Sequence, residues 1–125
     1  MRAYLAMSIE ELRDFYAQKK FAPEIVYAPT IKFITENPEL DEEEAEYEIS
    51  MIAARNSGGY VIALEVTDQQ ISQHLEESVV LSEPVIWESV EALFVYDSND
   101  DELTWYATQE IGDYLNTAGA KWWLA

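Results

Sequence analysis

Two apolar runs divided by an acidic stretch constrain the second half of the chain more than any other feature. Residues 92–96 read ALFVY, residues 103–107 read LTWYA, and the polar stretch DSNDDE lies between them. Runs rich in aromatic and β-branched residues around such a break predict an antiparallel hairpin with a loop of moderate length. Helical spacing of apolar residues follows at 111–115. We therefore expect the core of the domain to form around this hairpin.

Two capping patterns mark the starts of helices. Ser8 is followed three residues later by Glu11, and Asp41 is followed by Glu44. In each pair the first side chain can accept a hydrogen bond from the third helical residue, whose own side chain reaches back to the cap. The run from Asn56 to Gly59 then ends the helix that Asp41 begins. The sequence thus predicts helices after residues 8 and 41.

The other apolar segments complete the expected order of elements. A single helical turn that carries Ile71 and Leu75 is expected after the strand at 60–66. The order is strand, helix, two helices, mostly strands and a final helix. It predicts an α+β fold, with helices packed on one face of a largely antiparallel sheet. The further strands are expected at residues 3–7, 25–27 and 79–81, and a short helix at 30–36.

The net charge of the chain limits the kinds of molecule that it can bind. The chain of 125 residues has 25 acidic and 7 basic residues, a formal charge of −18. Such an excess repels nucleic acids and anionic membranes, and we expect neither as a partner. It is compatible with a basic partner or with bound cations. The length predicts a single domain over residues 1–125.

Cysteine is absent from the sequence. Its absence excludes disulfides, thiolate catalysis and zinc sites built on cysteine. It is typical of a cytoplasmic protein, because disulfides accumulate in oxidising compartments. No run approaches the roughly 20 apolar residues that span a bilayer, and no segment has the pattern of a signal peptide.

No motif in the sequence identifies a catalytic residue, a metal ligand or a cofactor. His74 is the only histidine, and it stands among polar residues as a surface histidine would. The oxygen ligands from Asp97 onward begin like a calcium loop, but Glu102 stands where that loop needs glycine and Thr108 where it needs glutamate. None of the four glycines precedes a helix as a phosphate-binding loop requires. We therefore predict no catalytic residue, metal or cofactor, and leave open whether the chain is an enzyme.

Two features of the sequence are candidate surfaces for binding. Trp122 and Trp123 stand together near the C-terminus, where one indole can remain exposed. The helix that begins after Asp41 carries an acidic face, which suits a basic partner or imitates a nucleic-acid backbone. For both, packing onto the sheet or simple exposure to solvent is the ordinary alternative.

Several short segments resemble a known group of proteins. Residues 44–47 read EAEY, 53–55 read AAR, and 103–111 read LTWYATQEI. The chain also starts with MRAYL and has a predicted strand that ends at Asp97. Together these segments resemble an uncharacterised family of small acidic actinobacterial proteins, a domain of unknown function. The WYA-x-QE segment is the most distinctive. No activity is known for the family, so the resemblance implies none.

The resemblance directs attention to Arg55, which ends its helix in a strongly acidic protein. A carboxylate partner is expected, with Glu46, Glu110 and Asp97 as candidates. Beside this pair, a shallow polar pocket or a structural hydrogen-bond network is expected. The residues assigned to a candidate binding site are Arg55, Tyr47, Glu46, Tyr106, Gln109, Glu110, Trp122 and Trp123.

Three functions remain open from the sequence. The first is a non-catalytic protein-interaction module, in one form a homodimer, that binds through its sheet or its aromatic tail. The second is an enzyme that uses carboxylates or a divalent metal around Arg55, Tyr106 and Glu110. The third is an acidic mimic of nucleic acid that binds a basic protein.

Overall fold

The computed structural model describes residues 1–121 and has four helices and nine strands in this part of the chain. The helices are α1 (Ile9–Gln18), α2 (Ile31–Glu36), α3 (Glu42–Arg55) and α4 (Ile111–Lys121). The strands are β1 (Arg2–Met7), β2 (Lys20–Phe21), β3 (Ile25–Tyr27), β4 (Tyr60–Glu65), β5 (Ile71–His74), β6 (Ser78–Leu81), β7 (Val85–Ile86), β8 (Val90–Asp97) and β9 (Glu102–Ala107). Short 3-10 turns lie at Asp68–Gln70, Trp87–Ser89 and Thr108–Glu110.

Seven of the strands form one antiparallel sheet in the order β5-β6-β3-β1-β4-β8-β9, and β2 pairs with β7 in a small second sheet. The predicted α+β class and the antiparallel sheet are therefore confirmed. The hairpin of β8 and β9 forms as expected, but it lies at one end of the sheet. The middle belongs to β1 and β4, which are paired over six residues each, so the core is not built around the hairpin.

The helices cover both faces of the sheet, and the expectation that they pack on one face is wrong. On one face, Leu5 and Ile62 join a cluster with α1 and α4. On the other, Tyr4 and Val61 join a cluster with α2 and α3. The physical reason is visible in the sequence, since β1 and β4 are apolar at nearly every position. Strands that bury both faces need cover on both sides.

Both predicted capping boxes are present. The Glu11 amide donates to Ser8 Oγ at 3.1 Å, and the Ser8 amide donates to Glu11 Oε1 at 2.9 Å. The pair of Asp41 and Glu44 makes the same two bonds at 2.8 and 3.1 Å. Local sequence therefore fixes the start of α1 and of α3.

The prediction of a helical turn that carries Ile71 and Leu75 is wrong. The 3-10 turn ends at Gln70, and Ile71 begins β5, which pairs with β6. Leu75 lies in the tight connection between these strands, where its amide donates to the Ser78 carbonyl at 2.8 Å. The exposed edge of β6 offers the segment a ladder of hydrogen bonds that a lone helical turn lacks, which is why pairing prevails over helical spacing.

Candidate functional site

Strand β9 forms an edge of the large sheet. It pairs with β8 from Ala92 opposite Ala107 to Asp97 opposite Glu102, without a shift in register. In the described part of the chain, no strand pairs with its other side. We call this side the β9 edge.

The direction of two amides shows which backbone groups face outward along the β9 edge. The Ala107 amide donates to Glu110 Oε1 at 2.8 Å, and the Tyr96 amide donates to the Gly59 carbonyl at 2.9 Å. Both therefore point away from the facing strand of the hairpin. Because directions alternate in an antiparallel pair, the N–H and C=O groups of Leu103 and Trp105 also point away from β8. The β9 edge thus presents two donors and two acceptors in a row.

The opposite edge of the sheet, at β5, has protection that the β9 edge lacks. The pairing of β5 with β6 shifts between Ile71 and Gln73, which bends the strand, and three of its four residues are exposed and polar. Bulges, prolines and lysines are the usual devices that stop an edge from pairing with another chain. Residues 102–107 contain none of them, and Glu102 is the single charge on the strand. The β9 edge is therefore suited to accept another strand.

The two faces of β9 carry aromatic side chains with different surroundings. Trp105 lies on one face and is 58 % exposed. Tyr106 lies on the other, with its ring 5.0 Å from that of Tyr114, whose hydroxyl is 3.1 Å from the hydroxyl of Tyr60. Burial, followed by the bond with Tyr60, raises the pKa of Tyr114. Tyr114 therefore stays neutral and acts as a hydrogen-bonding, aromatic group.

A shallow cavity of about 320 Å³ lies beside the end of β9. Its lining consists of Tyr106, Glu110, Asp113, Tyr114 and Thr117. We call it the Tyr106 cavity. Two aromatic rings and two carboxylates make it a place for a cation with an apolar stem.

Arg55 makes a bidentate ion pair with Asp101 in the turn of the hairpin. Arg55 Nε lies 3.2 Å from Asp101 Oδ1 and the second guanidinium nitrogen lies 2.7 Å from Oδ2. The Tyr96 hydroxyl also donates to Oδ1, at 2.6 Å. The Arg55 guanidinium, and then the Tyr96 hydroxyl, lower the pKa of Asp101 to about 2. This carboxylate is therefore fixed as an anion at neutral pH and cannot act there as a proton donor.

The partner of Arg55 is thus none of the three expected, which were Glu46, Glu110 and Asp97. Asp101 adopts a left-handed backbone conformation with φ of 53°, which aspartate tolerates better than most residues. The turn carries the Asp101 carboxylate to the end of α3. Asp97 and Asp100 stand in the same stretch, so the preference of aspartate for such turn positions does not single out Asp101 in the sequence.

The structure separates the other predicted site residues. Tyr47 is exposed on α3, and Glu46 is partly buried on the same helix. Gln109 is exposed in the 3-10 turn before α4. Trp122 and Trp123 lie outside the described residues.

Tyr106, Gln109 and Glu110 lie within one short segment beside the β9 edge, away from the α3 residues Glu46 and Tyr47. Trp105 and Asp113, which sequence reasoning did not select, join this segment as candidate binding residues. Trp105 can be identified because side chains alternate between the two faces along β9, and Asp113 because it lies at the start of α4.

The residues assigned to an enzymatic site do not meet in one cleft. Arg55 and its partners lie on the face covered by α3, whereas Tyr106 and Glu110 lie beside α4 on the opposite face. His74 is exposed on β5. Among residues 1–121, no three His, Cys, Asp or Glu side chains are placed to hold a metal ion.

A second acidic depression lies between α2, α3 and the connection of β5 with β6. It measures about 520 Å³, and its lining includes the apolar residues Phe33, Leu40 and Ile52. The lining also includes five glutamates, Glu36, Glu39, Glu48, Glu76 and Glu77. Acidic groups therefore occupy several separate surfaces, including this depression, the hairpin turn and the Tyr106 cavity, which does not favour a single phosphate-like row.

Comparison with known proteins gives one match. The model of a family described as a family of unknown function (DUF6912) matches residues 1–99, which confirms that the chain resembles a family of unknown function. The match ends in the turn of the hairpin, before β9. No curated protein and no solved structure matches the chain. Within residues 1–121, no helix is long and apolar enough to cross a bilayer.

Proposed function

The chain belongs to the DUF6912 family of unknown function, and we propose that it is a non-catalytic binding protein that takes an extended segment of a protein partner as an added strand beside β9. The observation that supports this most directly is the direction of the Leu103 and Trp105 backbone groups on an edge without bulge, proline or lysine. In strand addition, main-chain hydrogen bonds supply affinity and alternate side-chain sites supply selectivity.

Two residues with outward N–H and C=O groups allow about four hydrogen bonds with an added strand. At roughly 0.5–1.5 kcal/mol net for each bond, the main chain alone gives weak binding once the entropy of association is included. Further affinity has to come from side chains. Trp105, 58 % exposed on one face, offers an aromatic platform to a side chain of the partner.

A second copy of the chain is a poorer occupant than a different protein. Two copies would each bring a formal charge of −18, and self-repulsion opposes their association at low salt. A homodimer paired through β9 is testable, because size-exclusion chromatography with light scattering would show the doubled mass. A monomer at high protein concentration is the result expected here.

The lack of cysteine supports a cytoplasmic location as part of the same proposal.

Selection from a displayed library of random peptides tests the binding function and does not require that the partner be identified first. We expect selected peptides to shift the amide NMR signals of Leu103 and Trp105 most strongly. Trp105→Pro removes one outward N–H together with the ring, whereas Trp105→Val removes the ring and keeps the N–H. The proline variant should bind about tenfold more weakly than the valine variant, as expected when one hydrogen bond and its alignment are lost.

Selected peptides that bind both variants equally would show that the β9 edge is not used. Shifts concentrated on α3, around Tyr47, would place binding on the helix and contradict the proposal. A selection that yields no ligand also counts against it. The circular dichroism of both variants should match that of the parent chain, since the Trp105 N–H that proline removes points away from β8 and makes no bond within the sheet.

A further inference from the structure

We propose that the segment bound at the β9 edge is basic, with a lysine or arginine whose side chain enters the Tyr106 cavity. This inference rests on the proposed function and adds the chemistry of the partner. Three features support it: the geometry of an added strand, the chemistry of the cavity lining and the charge of the surrounding sequence.

Geometry places one side chain of an added strand at the Tyr106 cavity. Leu103 and Trp105 direct their backbone groups outward, so they would form the hydrogen-bonded pairs with the new strand. Tyr106 would then face its new neighbour in a non-hydrogen-bonded pair, in which side chains approach most closely, with Cβ atoms about 4.5–5.5 Å apart. That neighbour points to the same face as Tyr106, where the cavity lies.

The lining of the Tyr106 cavity matches a cation on an apolar stem. Two tyrosines, Tyr106 and Tyr114, and two acidic residues, Glu110 and Asp113, line it, and the two rings lie 5.0 Å apart. A lysine or arginine satisfies both, because its methylenes pack on the rings while the charged end meets the carboxylates.

The chain itself contains an arrangement of this kind between the end of α1 and the 3-10 turn before β8. Lys19 Nζ lies 3.7 Å from the centre of the Tyr16 ring and 5.1 Å from that of Trp87. The Tyr106 cavity offers a comparable aromatic surface to a cation from outside, with two carboxylates in addition.

The charge of the hairpin and the start of α4 favours the same partner. Residues 97–113 contain six acidic and no basic residues. Arg55 neutralises Asp101 alone among them within the described residues. The other carboxylates stand at both ends of the β9 edge, so they attract a basic strand and repel an acidic one. On the opposite face, Trp105 suits an apolar residue, and the partner is therefore expected to alternate basic and apolar side chains.

Three short synthetic peptides of equal length test the inference against the whole protein. One alternates valine with lysine, one alternates valine with threonine, and the third repeats the first with N-methyl groups on the backbone positions that would bond to the β9 edge. Dissociation constants come from calorimetry or NMR titration at low and high salt. We expect the lysine peptide to bind at least about tenfold more tightly than the threonine peptide at low salt, with a smaller difference at high salt.

A matched pair of double variants locates the effect of charge. Glu110→Gln with Asp113→Asn removes two charges from the Tyr106 cavity, and glutamine retains the oxygen that accepts from the Ala107 amide. Glu42→Gln with Glu43→Gln removes two charges from the exposed start of α3. The first pair should abolish most of the preference for lysine over threonine. The second should change it less than about twofold, since those charges are distant from the edge and screened.

The outcomes distinguish this inference from the function on which it rests. Equal affinity for the lysine and threonine peptides, with weak binding of the N-methylated peptide, would refute the basic partner and leave strand addition intact. Equal effects of the two double variants would also refute a cation in the Tyr106 cavity. Undiminished binding of the N-methylated peptide, or no binding of any peptide, would overturn strand addition itself.

Discussion

Replacing Gly58 with alanine pushes a new methyl group against the backbone of the cap that starts α1. The added Cβ would lie 2.9 Å from Ser8 Cα and 3.1 Å from Ser8 Cβ. Neither neighbour can move freely. The Ser8 amide is bonded to Glu11, and the Gly58 amide donates to the Met7 carbonyl at 3.1 Å. The backbone of the cap or of the loop before β4 must therefore shift.

The magnitude for Gly58→Ala follows from two opposing effects. Overpacking a tight site costs about 1–3 kcal/mol. Alanine also restricts the unfolded chain more than glycine, which returns about 0.4–1 kcal/mol. We expect a net loss of roughly 1–2 kcal/mol in the free energy of unfolding.

Gly112→Ala is the control. Its added Cβ would meet its nearest neighbour at a shorter distance than in Gly58→Ala, but that neighbour is a side-chain atom and not backbone. The added Cβ would lie 2.5 Å from the hydroxyl oxygen of Tyr16, which is the far end of that side chain. Alanine in place of glycine in a helix also favours the fold by up to about 1 kcal/mol. We therefore expect Gly112→Ala to remain within roughly 0.5 kcal/mol of the parent chain.

Urea unfolding followed by circular dichroism measures both variants, with the slope m checked for constancy so that the midpoint reports stability. The expected order is parent and Gly112→Ala together, with Gly58→Ala clearly below. A Gly58→Ala variant as stable as Gly112→Ala would refute the reasoning that a rigid backbone obstacle matters more than a short distance.

Two further predictions test the packing of α3 and the ion pair at its end. Ile49→Ala should lower the free energy of unfolding by about 2–5 kcal/mol in urea titrations, because Ile49 is fully buried. The control is Ile31→Ala on the exposed side of α2, which should change the free energy of unfolding by less than about 0.5 kcal/mol. Equal losses in the two variants would mean that α3 does not cover the sheet. The pKa of Asp101 is lowered from 3.8 to about 2 in the fold, so its contribution to stability is present above pH 3.8 and disappears as the pH falls toward 2. Asp101→Asn, which removes the charge that Arg55 holds, should therefore make stability less dependent on pH in that window, and an unchanged acid limb in denaturant titrations would contradict the role of the pair.

Local signals in the sequence account for most of the elements. The capping pairs after Ser8 and Asp41 depend on residues three positions apart, so they can be found before the fold is known. The alternating and apolar runs similarly locate β1, β4 and the hairpin of β8 and β9. Ile71 shows where local signals fail. Its spacing fits a helix, but pairing with the neighbouring edge of β6 makes the segment a strand.

The arrangement of the elements depended on contacts between distant parts of the chain. Apolar residues at successive positions of β4, such as Val61 and Ile62, were sufficient evidence that both faces of the sheet need cover. The partner of Arg55 could not be chosen among many carboxylates, since the choice depends on how the hairpin turn meets the end of α3. The resemblance directs attention to Tyr106 and Glu110, and only the pairing of β9 shows that they lie beside an unpaired edge.

Hydrogen exchange at the amides of β9 tests the central claim most directly. In the free protein we expect the Leu103 and Trp105 amides to exchange rapidly, while the Thr104 and Tyr106 amides, which face β8, exchange slowly. Addition of the alternating valine–lysine peptide should slow exchange at Leu103 and Trp105 and leave Thr104 and Tyr106 nearly unchanged. Slow exchange at Leu103 and Trp105 in the free protein would mean that this side of β9 is already covered, and it would contradict the account.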